Sequence, residues 1–153
     1  MKKLAAGFLM LVLAAFGAMA ATDTQRATPD EAKAIVKKAV AYYKKVGREK
    51  ALPEFCRTDG PFVDRDLYVT VIAMDGLELA HINPKTVNKN VMELRDPDGK
   101  FFIRERLDTA KKSSSGWQEF KFFNPVTKKI ESKMTYWERV DDLVFASGAY
   151  KPL

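Results

Sequence analysis

Few residues in this chain could do chemistry. There is one histidine, His81, and one cysteine, Cys56. His81 ends an apolar run in "DGLELAHINP", just ahead of Pro84. A histidine-based metal site needs further His or Cys ligands. Nothing beside His81 or Cys56 marks a nucleophile with its base. No G-x-S-x-G is present, and Ser113 to Ser115 lie in a short polar linker. "LRDPDGKFFIRE" sets Asp96, Asp98, Gly99 and Glu105 at the third, fifth, sixth and twelfth places of an EF-hand loop, but its first place is Leu94. With that oxygen missing the shell is too poor for calcium, and the stretch reads as a turn whose carboxylates favour the start of a following helix. No catalytic set, metal or cofactor is expected. For His81 two roles remain: a ring that finishes a strand over the core, or one polar contact to an anion.

Polar groups on strands are more informative. In a strand of period two, Trp117, Glu119, Lys121 and Phe123 share one face, and Gln118, Phe120 and Phe122 share the other. Lys133, Thr135 and Trp137 likewise alternate with Met134, Tyr136 and Glu138, and Tyr68 shares a face with Thr70. Such side chains among apolar positions are either cross-strand decoration or the convergent polar groups of a small-molecule pocket.

These residues need elements to hold them. "TPDEAKAIVKKAVAYYKKVG" (28–47) has a Thr28/Glu31 capping box, Pro29 at the first turn, a helical apolar period and a terminal Gly47, so it predicts a long helix. "REKALPEFCR" suggests a short helix broken near Pro53. "DLYVTVIAM" and "LELAH" read as two strands around a two-residue Asp75-Gly76 turn. Residues 83–99 form a long irregular connection, of the kind that is often functional. "KFFIRERLDTAKK" returns to helical spacing. "GWQEFKFF", "KKIESKMTYWERV" and "DDLVFASGAY" supply three more strands. The order predicts an α+β domain with a five-stranded antiparallel sheet, its helices on one face, and a helical crossover.

The N-terminus predicts export. Lys2 and Lys3 precede an uncharged apolar run that ends in Ala18-Met19-Ala20, the pattern of a signal peptide over residues 1–20. Uncleaved, the same run would serve as a membrane anchor. Cleavage would leave a mildly basic domain of about 130 residues, without a second apolar span. A lone cysteine makes no internal disulfide, so the core must carry stability; beside Phe55, Cys56 reads as a small buried hydrophobe. No basic stripe suited to nucleic acid is visible.

From Asp66 to Tyr150 the combination of DG, AH and a proline, then GW, NP, K-x-x-Y and SG-x-Y, resembles the single Cache domains (type 2) of bacterial extracytoplasmic sensors. The resemblance implies a PAS-like single Cache domain over residues 28–151. It implies recognition of small molecules, often short carboxylic acids, between the sheet and the irregular connection. Its implied ligand-binding residues are Tyr68, His81, Trp117, Lys133 and Tyr136, with Phe120 as an apolar wall. A lysine or protonated histidine with tyrosine hydroxyls would hold the carboxylate. Lys133 and Tyr136 stand three apart, so both enter one pocket only if a bulge intervenes. Where the family pattern commonly has glycine, Asn88 stands, a residue that tolerates left-handed backbone. Family members usually sit in receptors with a second span and a cytoplasmic module. The implied role is therefore a stand-alone periplasmic binding component for a membrane sensor kinase or chemoreceptor. The alternative is an interaction module with a degenerate pocket, dimerising through its N-terminal helix.

Overall fold

The computed structural model describes residues 26–152; the expected signal peptide lies outside them. Helix α1 spans Pro29–Val46. The Glu31 amide donates to the Thr28 hydroxyl, and the Thr28 amide donates back to the Glu31 carboxylate at 2.7 Å. Ala32, Ile35, Val36, Ala39 and Val40 form its buried stripe. Gly47, at φ +81°, stops it. Helix α2, Arg48–Phe55, follows at once and continues through Pro53, because Pro53 lies in the last turn and removes only a late hydrogen bond.

Two short strands, β1 (Val63–Asp64) and β2 (Leu67–Tyr68), form a ribbon of their own. Strand β3 is Thr70–Ala73, β4 is Glu78–Ala80 and helix α3 is Phe102–Ala110. Strands β5 (Ser115–Phe123), β6 (Ile130–Val140) and β7 (Leu143–Lys151) complete the chain. The main sheet has order β4-β3-β7-β6-β5, antiparallel throughout, as expected for five strands.

Three local expectations need correction. "DLYVTVIAM" is not one strand: a tight turn at Arg65, φ +54°, folds Leu67 and Tyr68 back onto Asp64 and Val63 before β3 joins β7. The hairpin turn has three residues, since the Ala73 amide donates to the Leu77 carbonyl at 2.9 Å around Met74, Asp75 and Gly76. Gly76 takes the left-handed place that such loops require. The helices also lie on both faces of the sheet. Helices α1 and α2 pack on Val71, Ala73, Tyr136, Leu143 and Phe145. Helix α3 covers Ile72, Phe120, Trp137, Val144 and Ala146 on the reverse. The reason lies in β7, where both pleat faces are buried and the sequence does not alternate.

The connection from β4 to α3 crosses the α3 face from one sheet edge to the other. At β4, the Glu78 amide donates to the Lys89 carbonyl and the Asn88 amide to the Glu78 carbonyl, at 2.9 and 2.7 Å. Asn88 takes the left-handed conformation its type permits, at φ +63°. At β5, Asp96 accepts the Lys121 amide at 3.2 Å, and the Lys100 ammonium reaches the Glu119 carbonyl at 2.9 Å. Asp96 also accepts the Asp98 and Lys100 amides, which makes the stretch a turn.

Candidate functional site

Between the sheet and this connection lies a cavity of about 440 Å³. Alternation along β2 and β3 brings Tyr68, Thr70 and Ile72 to it. Strand β5 adds Phe120 and Phe122, and β6 adds Lys133 and Thr135. Helix α3 lowers Phe102, Ile103 and Arg106 over them, with Phe102 stacked on Phe120 at 4.2 Å. Glu78 and His81 complete the β4 side, while Leu94, Phe123 and Pro125 lie on the outer lining.

Lys133 sits at the polar end. It is 4% exposed, yet among the described residues its ammonium has neither a hydrogen bond nor an ion pair. It rests instead over aromatic rings, 3.9 Å from the centre of Tyr68, 4.7 Å from Tyr150 and 5.8 Å from Phe122. Burial, then repulsion from Arg106, lowers its pKa well below the ordinary lysine value. Gly148 makes its seat possible. A Cβ there would lie 2.4 Å from the Thr135 hydroxyl and 2.9 Å from the Lys133 stem. That Thr135 hydroxyl is itself buried and has no hydrogen-bond partner among the described residues.

Arg106 is the second buried cation. Its Nε donates to the Gln118 carbonyl oxygen at 3.1 Å, and Gln118 is anchored on the Phe102 carbonyl at 2.9 Å. The guanidinium lies 5.5 Å from the Phe120 ring centre. Burial pushes its pKa down to about 10, so it stays charged at neutral pH. Glu78 moves the other way: burial raises its carboxyl above the usual range, despite attraction from Arg106 and Lys133. A carboxylate in the cavity thus feels attraction from both cations, and burial works against it.

His81 is neutral there. Burial, then the nearby Lys133, pushes its pKa down to about 4. Its Nδ1 accepts the Asn83 amide at 2.8 Å, so the ring proton resides on Nε2 and remains available as a donor. A protonated histidine clamp, one of the two options expected, is thus replaced by a neutral donor. The tyrosines also differ from expectation. Tyr150 donates to the Phe123 carbonyl at 2.9 Å, so the 3.0 Å contact between hydroxyls carries the Tyr68 proton towards Tyr150. Both protons are engaged, whereas Lys133, Arg106, His81 and Thr135 still have donor capacity.

Of the six residues expected at the site, Tyr68, His81, Phe120 and Lys133 come together around the cavity. Trp117 and Tyr136 do not. They pair across β5 and β6 on the reverse face, with ring centres 5.0 Å apart, and Tyr136 joins the α1 core. The unbroken β6 registers supply no bulge, so parity separates Tyr136 from Lys133. Cys56 packs against the helix-side core. Sequence reasoning missed Arg106, although it carried a signal: in α3 it shares the stripe of Phe102, Ile103, Leu107 and Ala110, where a charge is out of place.

The model of the family described as single Cache domain 2 matches residues 8–148. No curated protein sequence matches the chain. Among solved structures, a methyl-accepting chemotaxis protein from Vibrio parahaemolyticus superposes with a TM-score of 0.68 at 23% identity, covering 79% of this chain and 86% of its own. A Cache chemosensory domain described for carboxylic acid recognition gives 0.68 at 18% identity, covering 79% and 91%. The periplasmic sensor domain of a chemotaxis protein gives 0.60 at 22%, covering 79% and 88%. At these identities the likeness is one of fold.

Proposed function

The chain belongs to the single Cache domain 2 family, and on that premise we propose that it is an exported sensor domain, a single Cache domain over residues 28–151, that binds a small organic carboxylate. The ligand occupies the cavity under the connection, and its occupancy is passed to a membrane receptor or kinase. One observation carries the reading: two buried basic side chains, Lys133 and Arg106, line one cavity, and among the described residues the Lys133 amine forms no ion pair. Charge-assisted bonds from a lysine or arginine to a carboxylate are about twice as strong as neutral ones. His81 Nε2 and the Thr135 hydroxyl supply neutral donors beside them. A carboxylic acid is what one structural neighbour is described as recognising.

The test is a thermal-shift screen of mono- and dicarboxylates against the matching amides at pH 7. Carboxylates should raise the melting temperature of the wild type, amides should not, and Arg106→Met should reduce the shift. A broad library without a single stabilising carboxylate would overturn the reading.

A further inference from the structure

The cavity is larger than a small headgroup needs. At about 30 Å³ per water, the 440 Å³ cavity corresponds to about fifteen water volumes. That is within the range, about 300–1,000 Å³, of sites that hold ligands much larger than a two- or three-carbon acid. Ile72, Phe102, Ile103, Phe120 and Phe122 cluster into one apolar wall of the cavity, while Glu78, Asn83 and Thr86 belong to its β4 side. A carboxylate no larger than its headgroup would leave that wall facing water.

The surface repeats the message. Leu94 and Phe123, which line the cavity, are also exposed large hydrophobic residues, at 39% and 46%. Ile130, cross-strand partner of Phe123, is exposed at 43%. The Tyr150 hydroxyl donates to the Phe123 carbonyl and so anchors the backbone there. The apolar track of the lining thus includes both the buried Phe102–Phe120 stack and the exposed Leu94 and Phe123.

We propose that the ligand is an amphiphilic monocarboxylate, with a medium-length aliphatic or an aromatic body lying along this track and its carboxylate at Lys133 and Arg106. This rests on the anion site above and adds the chemistry of the remainder of the ligand. A single negative charge fits, because the two strongly basic side chains of the lining, Lys133 and Arg106, are both engaged at the headgroup.

Isothermal titration with acetate, propionate, hexanoate, octanoate, benzoate and hexanamide tests it. Each methylene withdrawn from water strengthens binding about fourfold, so hexanoate should outbind propionate by roughly fiftyfold. Benzoate should outbind acetate, and hexanamide should bind far more weakly than hexanoate. Leu94→Ser and Phe123→Ser, both at exposed positions, should lower the hexanoate-to-acetate ratio severalfold. Acetate or propionate binding as tightly as hexanoate and benzoate overturns the inference and leaves the anion site standing. Hexanamide matching hexanoate overturns the anionic headgroup, and silence from every carboxylate overturns both readings.

Discussion

Lys133→Met separates the energetic demands of the empty protein from those of its complex. Methionine keeps a long flexible stem and removes the ammonium. Withdrawing that charge from water costs several kcal/mol, while the faces of Tyr68 and Tyr150, 3.9 and 4.7 Å away, return about 2 kcal/mol. The balance against the empty folded state is on the order of 2 kcal/mol. In a domain of this size 1 kcal/mol moves the melting temperature by about 4 °C, so the variant should melt about 8 °C above wild type without ligand. Because the folded pKa of Lys133 lies below its unfolded value, folding at intermediate pH releases a proton. Wild-type stability therefore rises relative to the variant as pH climbs towards about 10.4, and the gap closes. A carboxylate at one hundred times its dissociation constant adds about 2.7 kcal/mol to wild type. Loss of a charge-assisted bond of about 2 kcal/mol leaves the variant less than about 1 kcal/mol of that gain. Differential scanning fluorimetry from pH 6 to 10, with and without ligand, reads both effects. A variant that melts below wild type when empty, or that keeps the full ligand shift, refutes the reasoning.

Two further perturbations address the same site. With its pKa held near 4, His81 lets the unfolded chain take up a proton first, so wild type should lose on the order of 3 kcal/mol as pH falls from about 6.5 to about 4. His81→Gln should flatten that part of the profile in urea titrations; equal slopes for the two proteins would count against a buried neutral ring. Gly148→Ala places a methyl against the Thr135 hydroxyl and the Lys133 stem, so it should cost about 1–3 kcal/mol by overpacking and shrink the carboxylate-induced shift. A stable alanine variant with an unchanged shift would show that Lys133 needs no such seat.

Much of this was legible where a local rule has one outcome. The Thr28/Glu31 box and the apolar period fix α1 without help from the rest of the chain. Strand parity placed Lys133 opposite Tyr136 and Phe120 opposite Trp117, and the observed registers keep both separations. The resemblance had gathered Trp117 and Tyr136 into the same site, whereas the spacing already divided them. Arg106 was readable as a charge on an apolar stripe. The seat beneath Lys133 was not, because it depends on Gly148 lying opposite Thr135, a register that only the folded sheet sets. The Tyr68–Tyr150 relay joins residues 82 positions apart, beyond any local pattern.

The connection over the cavity is fastened to both outer strands of the sheet: to β4 through Lys89 and Asn88, and to β5 through Asp96 and Lys100. One piece of chain thus covers the cavity and occupies backbone groups that an edge strand would otherwise offer to a neighbour. Lifting it would bare part of nine-residue β5 as a template for another chain. Exchange through the mouth at Leu94 and Phe123 leaves both margins sealed. Under the proposed binding role, this ties ligand traffic to colloidal behaviour: the domain would empty and refill without baring an aggregation-prone edge each time.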